Sequence, residues 1–404
     1  MSENYKTGLR KNVYEAILLF GIVSLMGDVI YEGSRGIVPD YLKFLGASAV
    51  VVGLVSGFGE FLGYAVRILS GYLADVTKSY WLFTFIGYGL IVVVPLLSLS
   101  SIWIIAVILI VLERIGKAIR TPARDTLLSI IGKGSQTGRV FGLHELFDQI
   151  GAIIGPMLVS LAMLYTGNNY QLSFSLMFIP YAVLMLALSY TFIRIGRTVR
   201  IEKTVGGGIK GKLDIRFKFY VAAVFFNTFG LIPASLILYK ASMLLSSTGQ
   251  QWIVPILYLV IQAVDAPIAV VSGYFYDKHG LKILSLPFLL SIAPSLIASL
   301  QPSLLSLIVA SICFGMVLGM QESIYRAAVS DLVEVNIRGS AYGVFNTAYG
   351  LGMLLGGLAY GFFTDTGLTV FAVAFYSVSL QLAALLFLRK TFSKPRLEKT
   401  LQRY

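Results

Sequence analysis

Roughly twelve stretches of about 20 mostly apolar residues run through this chain, and they restrict its fold more than any other feature. Each stretch is long enough to cross the hydrocarbon core of a bilayer as a helix, which satisfies its own backbone hydrogen bonds. The composition agrees, since 57% of the residues are hydrophobic and 13% are charged, whereas a soluble domain is about 25% charged. The sequence therefore predicts an all-α integral membrane protein.

The apolar stretches fall into two sets of six that a polar segment separates. The predicted spans are 13–38, 48–73, 80–99, 102–121, 140–165 and 171–193 in the first set, and 217–240, 251–276, 281–300, 304–325, 340–363 and 368–388 in the second. The segment between the sets is rich in Gly, Lys and Arg, which is typical of a flexible connector. We expect a six-helix bundle at 1–193, a basic cytoplasmic linker at 194–216, and a second bundle with a short basic tail at 217–404.

The basic residues indicate how the chain is oriented. If the N-terminus is cytoplasmic, most of the 32 Lys and Arg residues lie on the cytoplasmic side, while Lys43 and Lys240 lie in loops on the other side. This bias predicts a multi-pass protein of the cell membrane with both termini in the cytoplasm. Topology thereby explains the net charge of +12, and because the basic residues are dispersed between apolar stretches, we expect no nucleic-acid partner.

Two charged turns lie half a chain length apart. Gly273–Lys282 has the spacing G-x-x-x-D-K-x-G-x-K, and Gly71–Lys78 is a less complete copy with Val76 in place of the basic residue. Three glycines of span five also align with three of span eleven at one constant offset, namely Gly142, Gly151 and Gly155 with Gly343, Gly352 and Gly356. The simplest interpretation is two six-helix halves in tandem, with ligand bound near the midplane between them.

On these motifs the chain resembles the major facilitator superfamily of secondary transporters over essentially its whole length. The two turns match that family's loop motifs, and Gly151-x-x-x-Gly155-Pro156 is similar to its antiporter motif, as in drug/proton antiporters. The resemblance implies about 12 transmembrane helices in two pseudo-symmetric six-helix bundles. It also implies a monomer in the lipid bilayer, no cofactor, and a proton gradient as the energy source.

The same resemblance implies that the charged turns brace one half against the other and set the balance between two conformations. Capping of helix ends is the alternative for Asp75 and Asp277, and close helix packing is the alternative for the glycines of span five. Glu322 and Arg326 lie one helical turn apart and are expected to form an ion pair at a gate. The residues with a predicted gating or conformational role are Gly71, Asp75, Gly151, Gly155, Pro156, Gly273, Asp277, Lys278, Gly280, Lys282, Glu322 and Arg326.

Eight acidic residues lie within the predicted spans, where a charge must be paired, hydrated or protonated. Six of them are in the first half, against four basic residues there, and we expect this surplus of acid to favour proton carriage or cation binding. Helical spacing places the polar residues of spans one and two on one face of each helix, so that both faces line a shared cavity. These residues are Asp28, Glu32 and Arg35 in span one and Glu60 and Arg67 in span two.

Ion pairing within a helix is the alternative role for some of these charges. Glu32 and Arg35 are three residues apart, and Glu113 and Lys117 are four apart, so each pair could merely hold helices together. Arg114 falls where the resemblance implies a buried arginine, and we assign it to the cavity.

Span five carries a second polar group on one helical face. His144 and Asp148 share that face and Glu145 is adjacent, so the three side chains could relay protons from the cytoplasm. The alternative is a cluster at the inner end of the span that pairs with Arg120 or Arg139.

In the second half, Gln262 and Asp265 lie on one stripe of span eight, and no basic residue is near Asp265 in the sequence. We therefore expect Asp265 to bind substrate or a proton. Asn227 and Asn346 are expected to add polar contacts to the cavity, and polar packing is the alternative for both.

The resulting hypothesis is a proton-coupled secondary transporter that exports amphipathic or cationic compounds. An importer or symporter of a small ion, metal chelate or organic solute is the alternative, and a non-transporting membrane receptor is a third. An enzyme is not expected, because the chain contains no Walker loop, no HExxH and no GxSxG. A single cysteine, Cys313, and two histidines likewise argue against a metal cluster of the Cys or His type.

Overall fold

The computed structural model describes residues 3–131, 137–196, 213–300, 303–334 and 337–392, with side chains from residue 15 onward except those of 137–140. The first half consists of six helices, in two of which short breaks occur. They are α1 (Glu3–Phe44), α2 (Ala49–Thr77), α3 (Tyr80–Gly89, extended by short helical turns to Leu99), α4 (Trp103–Ile131), α5 (Thr137–Tyr165) and α6 (Tyr170–Ser175 and Phe178–Ile195).

The second half repeats this order within the described residues. Its helices are α7 (Ile215–Phe229 and Ala234–Leu245), α8 (Ile253–His279), α9 (a 3₁₀ turn at Gly280–Leu284, then Ser285–Leu290 and Ile292–Ile297), α10 (Leu304–Met320, a π turn at Gln321–Tyr325, then Arg326–Leu332), α11 (Arg338–Thr366) and α12 (Val370–Thr391). The predicted linker falls between α6 and α7, and its residues 197–212 lie outside the described residues. We call the face at which α6 ends and α7 begins the connector face.

Hydropathy alone identifies fewer than twelve spans. Over the described ranges, nine helical stretches are long and apolar enough to cross a membrane, and one of them, Ile253–Ile297, contains both α8 and α9. The two remaining helices, α4 and α11, are not among the nine. Helix α4 carries four charged residues within two turns, from Glu113 to Arg120, and α11 is rich in glycine. These helices are shielded by their neighbours, which explains why a twelve-helix bundle tolerates them.

The predicted ten-residue turn at Gly273–Lys282 is mostly helical. Helix α8 continues to His279, and the chain reverses at Gly280, which has φ +61°. This left-handed conformation suits glycine because a side chain would be strained there. The interpretation of the whole segment as a turn was therefore wrong, whereas its final glycine does mark the turn between the two spans.

The two halves are built alike. Gly151 and Gly155 of α5 lie against the backbone of α1, where an added Cβ on Gly151 would approach Leu25 O to 2.6 Å and one on Gly155 would clash with Val29 O. Gly352 of α11 lies in the same way against Phe225 O of α7, at 2.7 Å. The glycines that align in the sequence thus form equivalent helix contacts, α5 with α1 and α11 with α7.

The two halves share a hydrophobic core on one side of the molecule and separate on the other. Toward the face opposite the connector, one apolar cluster contains residues of both halves, such as Ile37 and Leu257. Toward the connector face there are two clusters, one around Phe20 in the first half and one around Tyr220 in the second. The described halves are therefore packed together at the opposite face and diverge toward the connector face.

Hydrogen bonds between the halves follow the same division. Asp365 at the end of α11 accepts from the backbone N–H groups of Ala49 and Val50, both at 2.9 Å, and so caps the start of α2. The hydroxyl of Ser242 donates to the buried carboxylate of Asp40, and Ser160 donates to Trp252 O at 2.7 Å. All of these contacts lie toward the opposite face, which they hold shut.

Replacing Gly155 with Val should destabilise the protein by about 1–3 kcal/mol, because the added side chain would push α5 away from α1. We expect a lower melting temperature of the purified protein in detergent. Gly142→Val is the matched control, since it changes the same helix at a position where a Cβ meets nothing within 4 Å. Equal melting temperatures for the two variants would contradict the packing described here.

Candidate functional site

A cavity lies between the two halves and changes character along the membrane normal. Its larger part, which we call the central cavity, encloses about 1290 Å³ of space free of protein atoms, its open mouth included, and is lined toward the opposite face by apolar side chains such as Leu42, Val55 and Leu238. Toward the connector face it adjoins a smaller charged pocket. The residues that line both parts are Arg35, Glu60, Tyr64, Arg114, Glu322 and Arg326. The site is thus apolar at one end and charged at the other.

Tyr31 organises the basic residues of the first half. Three cations stack on its ring: Arg35 and Arg114 each place Cζ 4.9 Å from the ring centroid, and Lys117 places Nζ 3.6 Å from it. Arg114 also donates a hydrogen bond to the Tyr31 hydroxyl. One aromatic side chain therefore gathers charges from α1 and α4 into a compact group.

Three acids, Glu60, Glu32 and Glu113, neutralise these three cations. Glu60 of α2 forms an ion pair with Arg35, and its Oε1 also lies 3.6 Å from Arg114 Nη1. Glu32 lies 3.8 Å from Arg35 and 3.9 Å from Lys117. Within the described part of the chain the central charges of the first half are therefore balanced, as a low-dielectric setting requires.

Two predicted pairs of this region have different outcomes. Glu32 and Arg35 do lie at ion-pair distance. The predicted pair of Glu113 with Lys117 was wrong, because Glu113 Oε2 lies 3.6 Å from Arg114 Nε and Lys117 reaches across to Glu32 on α1. Spacing along one helix cannot reveal a stronger partner on a neighbouring helix.

The predicted ion pair of Glu322 with Arg326 was also wrong. No carboxylate–guanidinium contact within 4.0 Å joins them in the described structure, although both side chains line the charged pocket. Glu322 lies in the π turn Gln321–Tyr325, in which hydrogen bonds run from i to i+5. Residues four apart no longer lie directly above one another in such a turn, so the two side chains separate.

Span five brings together part of its predicted polar group. His144 is buried, with Nε2 at 3.7 Å from Asp148 Oδ2 and at 3.3 Å from Ser24 Oγ. Arg124 of α4 completes the cluster at 3.7 Å from Asp148 and 3.1 Å from Ser24. Glu145 is exposed and contacts Gln149 instead, so it does not belong to this cluster.

The expected surplus of acid in the first half is smaller in the structure. The predicted fourth span ended at residue 121, whereas α4 continues to Ile131 and brings two further arginines into the bundle. Arg120 is 3% exposed and lies over the ring of Tyr88, and Arg124 pairs with Asp148. The charged pocket itself is lined by more bases than acids, so a surplus of acid in the spans does not by itself predict a cationic substrate. The base that pairs with the span-five cluster is Arg124 and not the expected Arg120. The side chain of Arg139, the other expected partner, lies outside the described residues.

In the second half, Asn227 is fully buried in a polar network. It donates to Ser291 at 3.0 Å and to Gln381 at 2.8 Å, and accepts from Tyr325 at 2.7 Å. This network joins four helices and fits the packing alternative, whereas Asn346 lines the central cavity. Gln262 and Asp265 are buried, and neither lines the cavity.

The predicted cavity residues thus divide into two groups. Those that line the cavity or charged pocket are Glu32, Arg35, Glu60, Arg67, Arg114 and Asn346. Those that lie elsewhere are Asp28, His144, Glu145, Asp148, Asn227, Gln262 and Asp265. Asp28 lies at the contact of α1 with α5, next to Gly151.

The predicted gating residues lie near the connector face or at helix contacts. Asp75 accepts a hydrogen bond of 2.7 Å from Tyr80, which is in its own half. Gly71 lies against Pro122, and Gly273 lies beside Ser323. Asp277, Lys278 and Lys282 are at the junction of α8 and α9. Bracing of one half against the other by these turns stays a prediction.

Sequence reasoning missed two tyrosines of the site. Tyr31 lies among charged residues on α1, but an aromatic residue gives no polar signal that would distinguish it from core. Tyr258 of α8 donates a hydrogen bond of 2.5 Å to Glu32 and so joins the halves at the level of the cavity. Tyr258 lies four residues before Gln262, which places it on the same helical face as Gln262 and Asp265, and this spacing was the one available clue.

Glu60→Gln should destabilise the protein, because it leaves Arg35 and Arg114 with less compensating charge. The double variant Arg35→Gln/Glu60→Gln restores the balance and should be more stable than Glu60→Gln alone, with a coupling of about 0.5–3 kcal/mol. Thermal unfolding of the purified variants measures this. Glu15→Gln, at the exposed pair with Arg194, is the control and should leave the melting temperature close to that of the unmodified protein. Strictly additive effects would show that Arg35 and Glu60 do not depend on each other.

Comparisons with known proteins agree with this architecture. An uncharacterized protein of Mycobacterium tuberculosis is 34% identical over 388 residues, which cover 93% of each chain. An uncharacterized MFS-type transporter of Methanocaldococcus jannaschii is 30% identical over 368 residues, 88% of each chain. Among solved structures, the nucleoside transporter NupG has a TM-score of 0.72 at 16% identity and covers 92% of this chain and 99% of its own.

A second solved structure has the same fold. It is a bacterial homologue of the human lysosomal transporter Spinster in an inward-facing, occupied conformation, with a TM-score of 0.67, 16% identity, and coverage of 98% of this chain and all of its own. The family model of the Major Facilitator Superfamily matches residues 17–357 and 219–402. The repeated halves, the cavity between them and these matches lead to one conclusion: the chain is a multi-pass membrane transporter that belongs to the major facilitator superfamily.

Proposed function

We propose that this transporter couples the movement of a small amphipathic solute to the movement of protons, and that it exports the solute. The observation that carries the coupling is the carboxyl group of Asp265. It is 2% exposed, and its Oδ1 has no hydrogen-bond partner among the described residues. A buried carboxylate without a partner costs several kcal/mol in a membrane interior, so the neutral, protonated form is favoured in this conformation.

The position of Asp265 suits a coupling role. It lies where α8 packs on α10, and an added Cβ on Gly319 would meet its Oδ1 at 3.1 Å. Glu322, which lines the charged pocket, follows Gly319 by three residues on α10, so this helix contact lies next to the pocket. Water that enters this contact when the halves rearrange would hydrate the carboxylate and let the proton leave. Proton release and the conformational change are then linked.

Alternating access supplies the transport step. The cavity is shut at the face opposite the connector and its halves diverge toward the connector face. With the termini and connector in the cytoplasm, as the distribution of basic residues predicts, this conformation faces inward. Opening of the other face requires the contacts of Asp365, Ser242 and Ser160 to break while new ones form near the connector.

The two-part cavity supports an amphipathic solute. The apolar end suits a hydrocarbon or ring system, and the charged pocket suits a polar head group. A bare metal ion is less well supported, because no group of three or more His, Cys, Asp or Glu in the described structure could hold one. Export is the direction that the resemblance of Gly151–Pro156 to the antiporter motif favours.

Proteoliposomes with a trapped pH dye and an imposed pH gradient test the coupling. The probes are decyltrimethylammonium and decyl sulfate, whose permanent charges prevent them from carrying protons through the lipid themselves. We expect at least one probe to trigger proton movement, and we expect Asp265→Asn to abolish it while exchange of labelled probe across the membrane continues. Glu15→Gln is the control, because its side chain lies in a surface ion pair.

The sign of the pH change gives the direction. Proton exit from the vesicle as the probe enters indicates exchange and supports export, whereas acidification of the lumen indicates symport and import. Full proton movement in Asp265→Asn would reject Asp265 as the coupling acid. Probe binding without any flux would instead indicate a receptor.

A further inference from the structure

The charged pocket contains more basic than acidic side chains. Its bases are Arg35, Arg67, Arg114, Lys117 and Arg326, and its acids are Glu32, Glu60 and Glu322. As described above, Arg35, Arg114 and Lys117 are neutralised by Glu32 and Glu60, with Glu113 adjacent to Arg114. Arg67 and Arg326 have no carboxylate within 4.0 Å in the described part of the chain. Glu322 likewise has no ion-pair partner within 4.0 Å there, so these three unpaired side chains leave the pocket with a net positive charge.

Arg67 and Arg326 come from different halves and line the same pocket as Tyr64. Tyr64 of α2 lies beneath Arg67, whose Cζ is 5.6 Å from the ring centroid. The ring of Tyr349 of α11 packs edge-on against Tyr64, with 5.9 Å between centroids. An aromatic pair that joins the two halves therefore supports the Arg67 guanidinium group.

This arrangement is unfavourable as it stands. The two guanidinium groups carry the same charge and line one small pocket, and neither can lose its proton in a protein. Arg67 Nε is buried and has no hydrogen-bond partner among the described residues. An anion between the two side chains would compensate their charges and satisfy that donor. Guanidinium groups bind carboxylate and phosphate through paired hydrogen bonds, which a sulfonium or ammonium group cannot accept.

The space next to the pair defines the rest of the ligand. Arg326 and Tyr64 line the central cavity as well as the charged pocket, so a group held by Arg326 is adjacent to the apolar end. That end is lined by side chains such as Leu42, Val55 and Phe314. A ligand that fills both parts has an anionic head and an apolar body.

We infer that Arg67 and Arg326 form the head-group site of the transported solute, and that the solute is an amphipathic anion with a carboxylate or phosphate group. This inference rests on the proposed transport function and replaces the cationic class expected from the sequence. Because one arginine belongs to each half, the bound anion also holds the charged pocket together. Binding of substrate thus favours approach of α2 and α10, which is the movement that would close the connector face.

Binding to the purified protein in nanodiscs of uncharged lipid tests the site without requiring transport. The probes share one tail and differ in head group: decanoate, decyl phosphate and decyltrimethylammonium, each used below its micelle concentration. We expect an anionic probe to bind, with decanoate and decyl phosphate separating the two head-group classes. Arg67→Gln and Arg326→Gln should each weaken that binding by about tenfold or more, since each removes a charge-assisted contact.

Two controls keep this test free of folding effects. Arg194→Gln makes the same change of charge at an exposed ion pair and should leave binding unchanged. Without ligand, Arg67→Gln should melt no lower than the unmodified protein, because it breaks no ion pair within 4.0 Å. Arg326→Lys should lose less affinity than Arg326→Gln, since it retains the charge but not the planar fork.

Preferential binding of decyltrimethylammonium, or anion binding that neither Arg67→Gln nor Arg326→Gln weakens, would overturn this inference. The proton-flux experiment separates its failure from that of the proposed function. Arginine-dependent anion binding without coupled proton movement supports the site and rejects proton coupling. Proton movement that only decyltrimethylammonium triggers would reject the anion site at Arg67 and Arg326 but would support proton coupling.

Discussion

Charge neutralisation inside the bilayer is the constraint on which the rest of this structure depends. A single side chain, Tyr31, gathers three cations, and acids from two helices, Glu32 and Glu60, neutralise them. Since unpaired charges are costly in a membrane interior, this pairing is what permits a helix as polar as α4 to cross it. It also fixes the positions of α1, α2 and α4, and so forms one wall of the cavity.

The second half uses buried amides where the first half uses ions. Asn227 and its partners bind α7, α9, α10 and α12 without net charge. The two halves therefore have the same helix packing, with glycines at equivalent contacts, but a different polar interior. This asymmetry places the charged group of the cavity mainly on one wall, and it leaves Arg326 as the cation that the second half contributes to the charged pocket.

The sequence was sufficient for the two-bundle architecture, because apolar length, the distribution of basic residues and the aligned glycines are all properties of the chain itself. The pairing of charges was not predictable in the same way. Lys117 reaches Glu32 on another helix, and a π turn separates Glu322 from Arg326. Both depend on how neighbouring helices are placed. Asn227 was assigned to the cavity because polarity within a span does not show which way a residue faces.

The contact of Asp365 with α2 has a consequence for the helix itself. The first turn of any helix has N–H groups without intrahelical partners. In α2, the Ser48 side chain accepts a hydrogen bond from the N–H group of Val51, whereas the N–H groups of Ala49 and Val50 donate to the carboxylate of Asp365 in the other half. The second half therefore caps the first turn of α2 only while this face is closed. Opening the face exchanges a protein cap for water, so the beginning of α2 is a part of the gate that loosens when the gate opens.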